Sequence, residues 1–145
     1  MYNTNVAKVF ALIVGLGKVD FDEDATRATT NQCFRLLGVK PKKGKDVESM
    51  ISNVIDVIET VVNTHMTKDE VCLCLVQMET CEEYQYALSD GAVLDEWAPY
   101  GQISRILQCM VIKLGRSKYT MEQNITDSAE IKELYQDASE LAVVL

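Results

Sequence analysis

An all-α bundle built around one buried helix is the fold class this sequence predicts, and three observations predict it. Apolar residues recur at helical spacing in several separate stretches. Hydrophobic residues make up 48% of the 145-residue chain and only two prolines occur, a composition that suits a folded, helix-rich protein and not a disordered linker. The stretch from Gly101 to Leu114 is apolar nearly all round, with Cys109 and Ile112 added to the stripe Ile103, Ile106, Leu107, Met110, Val111, Leu114. Such a helix belongs in the middle of a bundle, wrapped by the others. By length the chain is a single domain able to bury roughly 70% of its unfolded surface, with no disulfide or metal required.

The elements follow in order. Residues 6–16 are rich in β-branched side chains and could form a strand, but Val6, Val9, Phe10, Ile13 and Val14 fit a helical stripe and the length favours a helix. Asp20, Asp22 and Asp24 are N-cap candidates for a second, amphipathic helix, whose apolar positions are Ala25, Ala28, Cys33, Phe34, Leu36 and Leu37, with Gly38 as its stop. A polar loop with Pro41 and Gly44 comes next.

Asp46 caps a long third helix, Val47 to about His65, whose apolar positions cover too much circumference for an exposed amphipathic element. Thr67 and Glu70 have capping-box spacing and open a short helix through Val71, Leu75 and Met78. Another helix runs from Glu82 to Ser89 and is closed by the Asp90-Gly91 turn. Ala92 to Pro99 reads as an irregular linker holding Trp97; the central helix comes next, stopped by Gly115. A last helix spans Thr126 or Asp127 to about Val144, with Ile131, Leu134, Tyr135, Ala138, Leu141 and Ala142 at helical spacing.

A formal net charge of −8 opposes nucleic-acid binding, which needs clustered cations. The one basic cluster, Lys40, Lys42, Lys43 and Lys45, sits beside Pro41 and Gly44 and reads as a solvated loop. Five cysteines, Cys33, Cys72, Cys74, Cys81 and Cys109, lie mostly in apolar periodic segments and read as reduced core residues of an intracellular protein. No secretory signal or transmembrane anchor is expected, since the apolar runs at Val9 to Gly17 and Leu141 to Leu145 are too short to span a bilayer.

Enzyme chemistry finds little to work with. Gly15-Leu16-Gly17 lacks the third glycine of a dinucleotide loop, because Asp20 stands there. His65 with Cys72, Cys74 and Cys81 does not have the spacing of paired zinc knuckles. One histidine in the whole chain leaves acid-base and nucleophilic catalysis without partners. The expectation is a non-enzyme with no cofactor and no metal.

Two motifs in fixed order point elsewhere. Ile51-Ser52-Asn53-Val54-Ile55-Asp56-Val57-Ile58 lies in the third helix, and Ser89-Asp90-Gly91 followed by Tyr100-Gly101-Gln102-Ile103 leads into the central helix. The first resembles the BH-3 motif of the Bcl-2 family, Leu-x-x-x-Gly-Asp-x-φ, and the second resembles the family's first homology motif, in which an Asn-Trp-Gly-Arg turn begins the central helix. The resemblance covers roughly residues 24–115, leaving 1–20 as an extra N-terminal segment. It is closest in kind to viral Bcl-2 homologues of large DNA viruses, of iridovirus or poxvirus type. Departures are informative: Ile55 replaces the small residue that lets a BH-3 helix sit flush in a partner, so this helix suits a groove wall better than a donated ligand. Gln102 replaces the arginine that pairs with a ligand's Asp, and Arg105, one turn on, is a candidate substitute.

The resemblance implies a Bcl-2-like bundle with a surface groove that takes an amphipathic helix. Its walls would be Ile58, Val62 and Met66 of the third helix, Tyr84, Ala87 and Leu88 of the Glu82 helix, and Gly101, Gln102, Arg105, Ile106 and Cys109 of the central helix. The partner implied is the BH-3 motif of a pro-apoptotic protein, Bim-type first. The outcome would be inhibition of apoptosis in the host cytoplasm or at the mitochondrial periphery. An open apolar groove would also favour a homodimer. A second function compatible with the same fold is blockade of an innate-immune signalling adaptor.

Overall fold

The computed structural model describes residues 2–79, 81 and 98–114, and every element among them is helical. In chain order these are α1 (Tyr2–Gly15), a 3-10 turn (Leu16–Val19), α2 (Glu23–Leu37), α3 (Val47–His65), α4 (Lys68–Glu79) and α5 (Ala98–Lys113). The helix expected at Glu82 to Ser89, the Ser89-Asp90-Gly91 turn, Trp97 and the helix expected over 126–144 lie outside the described residues.

The β-branched N-terminal stretch is a helix because its apolar residues share one face: Val6, Val9, Phe10 and Ile13 are fully buried and Val14 nearly so. That face packs on α4 and α2, so residues 2–16 are part of the core and not an appendage to it. Helix α1 ends in the 3-10 turn, and the chain then reverses through Asp20 and Phe21, both left-handed at φ 52° and 53°. An aromatic residue adopts that conformation at a cost; Phe21 is held there by its partial burial against the core and by donating its N–H to the Leu16 carbonyl at 3.1 Å.

The helix ends obey local chemistry. Among the three candidate caps before α2, Asp22 is the one used, accepting from the Ala25 N–H at 3.0 Å. Gly38 closes that helix in the left-handed region at φ 73°, where a side chain would be strained. Asp46 caps α3 by accepting from the Ser49 N–H at 2.8 Å, and Ser49 Oγ accepts in return from the Asp46 N–H at 3.2 Å. Thr67 and Glu70 form the expected box before α4, Glu70 N–H donating to Thr67 Oγ1 at 3.2 Å and Thr67 N–H to Glu70 Oε1 at 3.3 Å.

Helix α5 is enclosed along its second half. Six successive residues, Ile106 to Val111, are at most 1% exposed, and at 3.6 residues per turn that run covers the whole circumference. Its principal neighbour is α3, with α4 against another side. Helix α5 begins at Ala98, earlier than the sequence suggests, because Pro99 fits the first turn, where its missing N–H is no loss. Tyr100 and Gly101 therefore belong to the helix and not to a turn preceding it, and the linker reading of Ala98 and Pro99 is corrected accordingly.

Within α5 one polar side chain is sealed inside with the rest, as Thr26 and Thr30 are in α2. Gln108 is 1% exposed and its Nε2 has no hydrogen-bond partner among the described residues, a desolvation cost with no return. Gln108→Met should therefore raise stability by about 1–2 kcal/mol in urea unfolding. A loss of that size instead would show that Gln108 holds a bond essential to α5.

Candidate partner-helix site

Helices α3 and α5 lie side by side, and the ties between them locate the site. Arg105 Nη2 stands 3.0 Å from Asp56 Oδ1 and 2.7 Å from Glu59 Oε1. Asp56 and Glu59 are one turn apart, on the edge of α3 that faces α5. Further along, Lys113 Nζ donates to the Asn63 carbonyl at 3.1 Å. Residue numbers rise together along this seam, so the two helices run in the same general direction.

The Arg105 cluster is asymmetric. Asp56 is about half exposed, whereas the Glu59 side chain is 17% exposed and its Oε1 makes no well-directed hydrogen bond. At 2.7 Å from Nη2 it pairs with Arg105 through charge and a poorly directed hydrogen bond. Burial pushes the Glu59 carboxyl above the ordinary glutamate range, the Asp56 charge adds to this, and the attraction of Arg105 offsets it only in part. Sequence reasoning singled out Arg105 and Asp56 but missed Glu59; the signal available was the Asp56/Glu59 spacing, which puts two carboxylates on one polar edge of an otherwise apolar helix.

The expected groove wall is placed as follows. Ile58, Val62 and Met66 from the α3 side and Ile106 and Cys109 from α5 are brought together, but inside: all five are 3% exposed or less and belong to one core cluster. These side chains pack against the present neighbours and do not line an open face. Gly101 and Gln102 lie in the opening turns of α5, on the N-terminal side of Arg105. Tyr84, Ala87, Leu88, Ser89, Asp90 and Gly91 lie outside the described residues. Arg105 is engaged by two carboxylates of its own chain, so it is not a spare cation waiting for a ligand.

The cysteines behave as core groups. Burial pushes the thiols of Cys33 and Cys74 up to about 12 and that of Cys109 up as well. Each is held as a neutral thiol, with little of the thiolate that nucleophilic attack or metal binding needs. Ring stacking places His65 on Tyr2, with centroids 5.6 Å apart and 15° between planes. Among the described residues no three metal-ligating side chains converge. Nor is any described helix long and apolar enough to cross a membrane.

Comparison with known proteins finds no matching family, no matching curated relative and no matching solved structure.

The raised Glu59 carboxyl sets a sign for the pH dependence. The native state holds this proton more tightly than the unfolded chain does, so the Glu59 contribution to stability falls as pH rises from the unfolded value through the raised one, then stays level. In urea unfolding from mildly acid to neutral pH, Glu59→Gln should gain on the parent protein as pH increases. A difference that moves the other way would mean that attraction to Arg105 outweighs burial.

Proposed function

We propose that this chain is a Bcl-2-type interaction module that captures a BH-3 helix of a pro-apoptotic protein, Bim-type first, against α3 and α5, and so restrains cell death in the manner of a viral homologue. The observation that carries this reading is the ion pair between Asp56 and Arg105 at 3.0 Å. Asp56 holds the Asp position of the BH-3-like motif, and Arg105 lies on the helix that carries the Gly101 motif. The resemblance assigns that type of charge pairing to a ligand Asp and the central-helix arginine; here it is made within the chain.

Complete burial of Ile55 supports α3 as a fixed wall and not as a helix to be donated. Since two carboxylates already share Arg105, a ligand Asp meets a satisfied guanidinium and a negative edge. Ligand choice then falls on apolar anchors, and the partner spectrum is narrow.

A second reading is favoured by one further observation. The five expected wall residues from Ile58 to Cys109 are sealed in the core, which suits a protein of the same architecture that uses its outer surface against an innate-immune signalling adaptor. Neither reading involves catalysis.

Calorimetric titration with a panel of BH-3 peptides separates the two. The first reading expects a Bim-type peptide to bind with sub-micromolar affinity, about −8 kcal/mol or better. Gly101→Glu should abolish that binding and leave helicity intact, because an acid in the first turn suits the α5 dipole while its bulk blocks the approach. A heatless titration across the whole panel by a folded protein removes the BH-3 reading and leaves the adaptor one.

A further inference from the structure

The loop between α2 and α3 closes over a cleft of about 280 Å³, lined in part by Arg27, Thr30 and Asn31 of α2, Lys42 and Lys43 of the loop, and Met50 of α3. Its position is fixed from both sides. Asn53 Nδ2 donates to the Lys43 carbonyl at 3.2 Å. Gly44 lies so close to the first turns of α3 that a Cβ there would stand 2.7 Å from the Met50 nitrogen. Only glycine allows that approach, and the approach holds the two lysines at the cleft.

What distinguishes this cleft is its charge. The chain carries 22 acidic and 14 basic residues, yet three cations and no carboxylate line it. Arg27 makes an exposed i,i+4 pair with Glu23 at 3.2 Å. Asp46, the acid nearest to the lysines along the chain, is turned to its cap on Ser49. Lys42, Lys43 and Asn31 thus line the cleft with no carboxylate among its lining residues, and Lys42 also borders the neighbouring cleft that Asp56 lines. Lys40 and Lys45 flank the site on the same loop but do not line it. Exposed Val39 and Pro41 lie beside the lysines.

We propose that this cleft binds a compact group bearing more than one phosphate, as in a phosphorylated inositol. Phosphate monoesters bring nearly two charges and three acceptor oxygens each, which suits two lysines, an amide and an arginine shared with Glu23 better than a single carboxylate does. A bounded cleft takes a compact ligand, and a net charge of −8 opposes a nucleic-acid polymer. The exposed Val39 and Pro41 beside the site favour a headgroup presented at a lipid surface over the free ester. This site is independent of the BH-3 reading.

The test uses the full chain in two arms: sedimentation with phosphatidylcholine vesicles with or without a few per cent of phosphatidylinositol bisphosphate, and calorimetry with soluble inositol trisphosphate. Binding in the vesicle arm, alone or with the soluble arm, supports the headgroup; binding in the soluble arm alone supports the site with a free ester as its ligand. Lys42→Glu with Lys43→Glu should weaken binding at least about 25-fold, at about fivefold for each lysine near an anionic group. Lys40→Glu with Lys45→Glu, carrying the same charge change outside the cleft, should weaken it several-fold less, and circular dichroism checks that both variants remain folded. Equal losses in the two variants would reduce the site to a diffuse basic patch and overturn the proposal. So would the absence of binding in both arms, or displacement of the phosphate ligand by an acidic peptide at lower concentration.

Discussion

Everything described in this molecule depends on one constraint: α5 has no exposed face between Ile106 and Val111, and only Gln108 in that run is polar. A helix of that kind has no stable place at a surface, since each large apolar side chain left in water forgoes roughly 1.5–3 kcal/mol. It has to be enclosed, and the enclosing helices have to be apolar on more than a narrow stripe. Helix α3 meets the demand with eight buried residues between Met50 and Val62, wide enough to meet α5 and α2 at once. Helix α4 covers another part of α5 and is itself backed by α1. The N-terminal helix is thereby tied into the core through α4 and α2.

Enclosure fixes position poorly, because apolar contact is non-directional. Direction comes from the few polar ties along the α3–α5 seam, where Arg105 meets Asp56 and Glu59 and Lys113 meets the Asn63 carbonyl. The Arg105 cluster works against the burial of Glu59, whose carboxyl is pushed up in spite of the guanidinium beside it. An exposed pair adds little to stability, so the cluster is better understood as setting register between two otherwise smooth helices. Gln108, buried with its amide nitrogen unpartnered among the described residues, is a place where this enclosure conflicts with local chemistry.

Helix existence and helix ends were legible in the sequence wherever the signal is local. Asp46, the Thr67/Glu70 box and Gly38 act within four residues of themselves, and each is where its chemistry put it. The start of α5 was not, because Pro99 reads equally well as the end of a linker and as a first-turn residue, and only tertiary packing decides between them. Site geometry was the least legible. Helical spacing identifies Ile58, Val62, Ile106 and Cys109 as apolar and on particular faces, but it does not say whether a face meets a ligand or the protein's own interior. That distinction is tertiary, and here the interior holds them. The basic cluster at 40–45 likewise reads as a solvated loop until the approach of Gly44 to Met50 gathers two of its lysines with Arg27 around a cleft.

Burial of the expected wall also constrains how the proposed helix capture can work. Exposing Ile58, Val62, Met66 and Ile106 to water would cost roughly 6–12 kcal/mol at the usual value per large side chain. That is comparable to the whole binding free energy of about −8 to −12 kcal/mol for micromolar to nanomolar complexes. A ligand helix therefore cannot bind by opening the core first and filling it later. Its apolar anchors have to replace the present cover as that cover leaves, so that little bare surface exists at any stage, and the net affinity reports the difference between two well-packed arrangements. Capture by exchange makes affinity sensitive to anchor shape and less so to the ligand's charge, the same bias that the occupied Arg105 imposes from the electrostatic side.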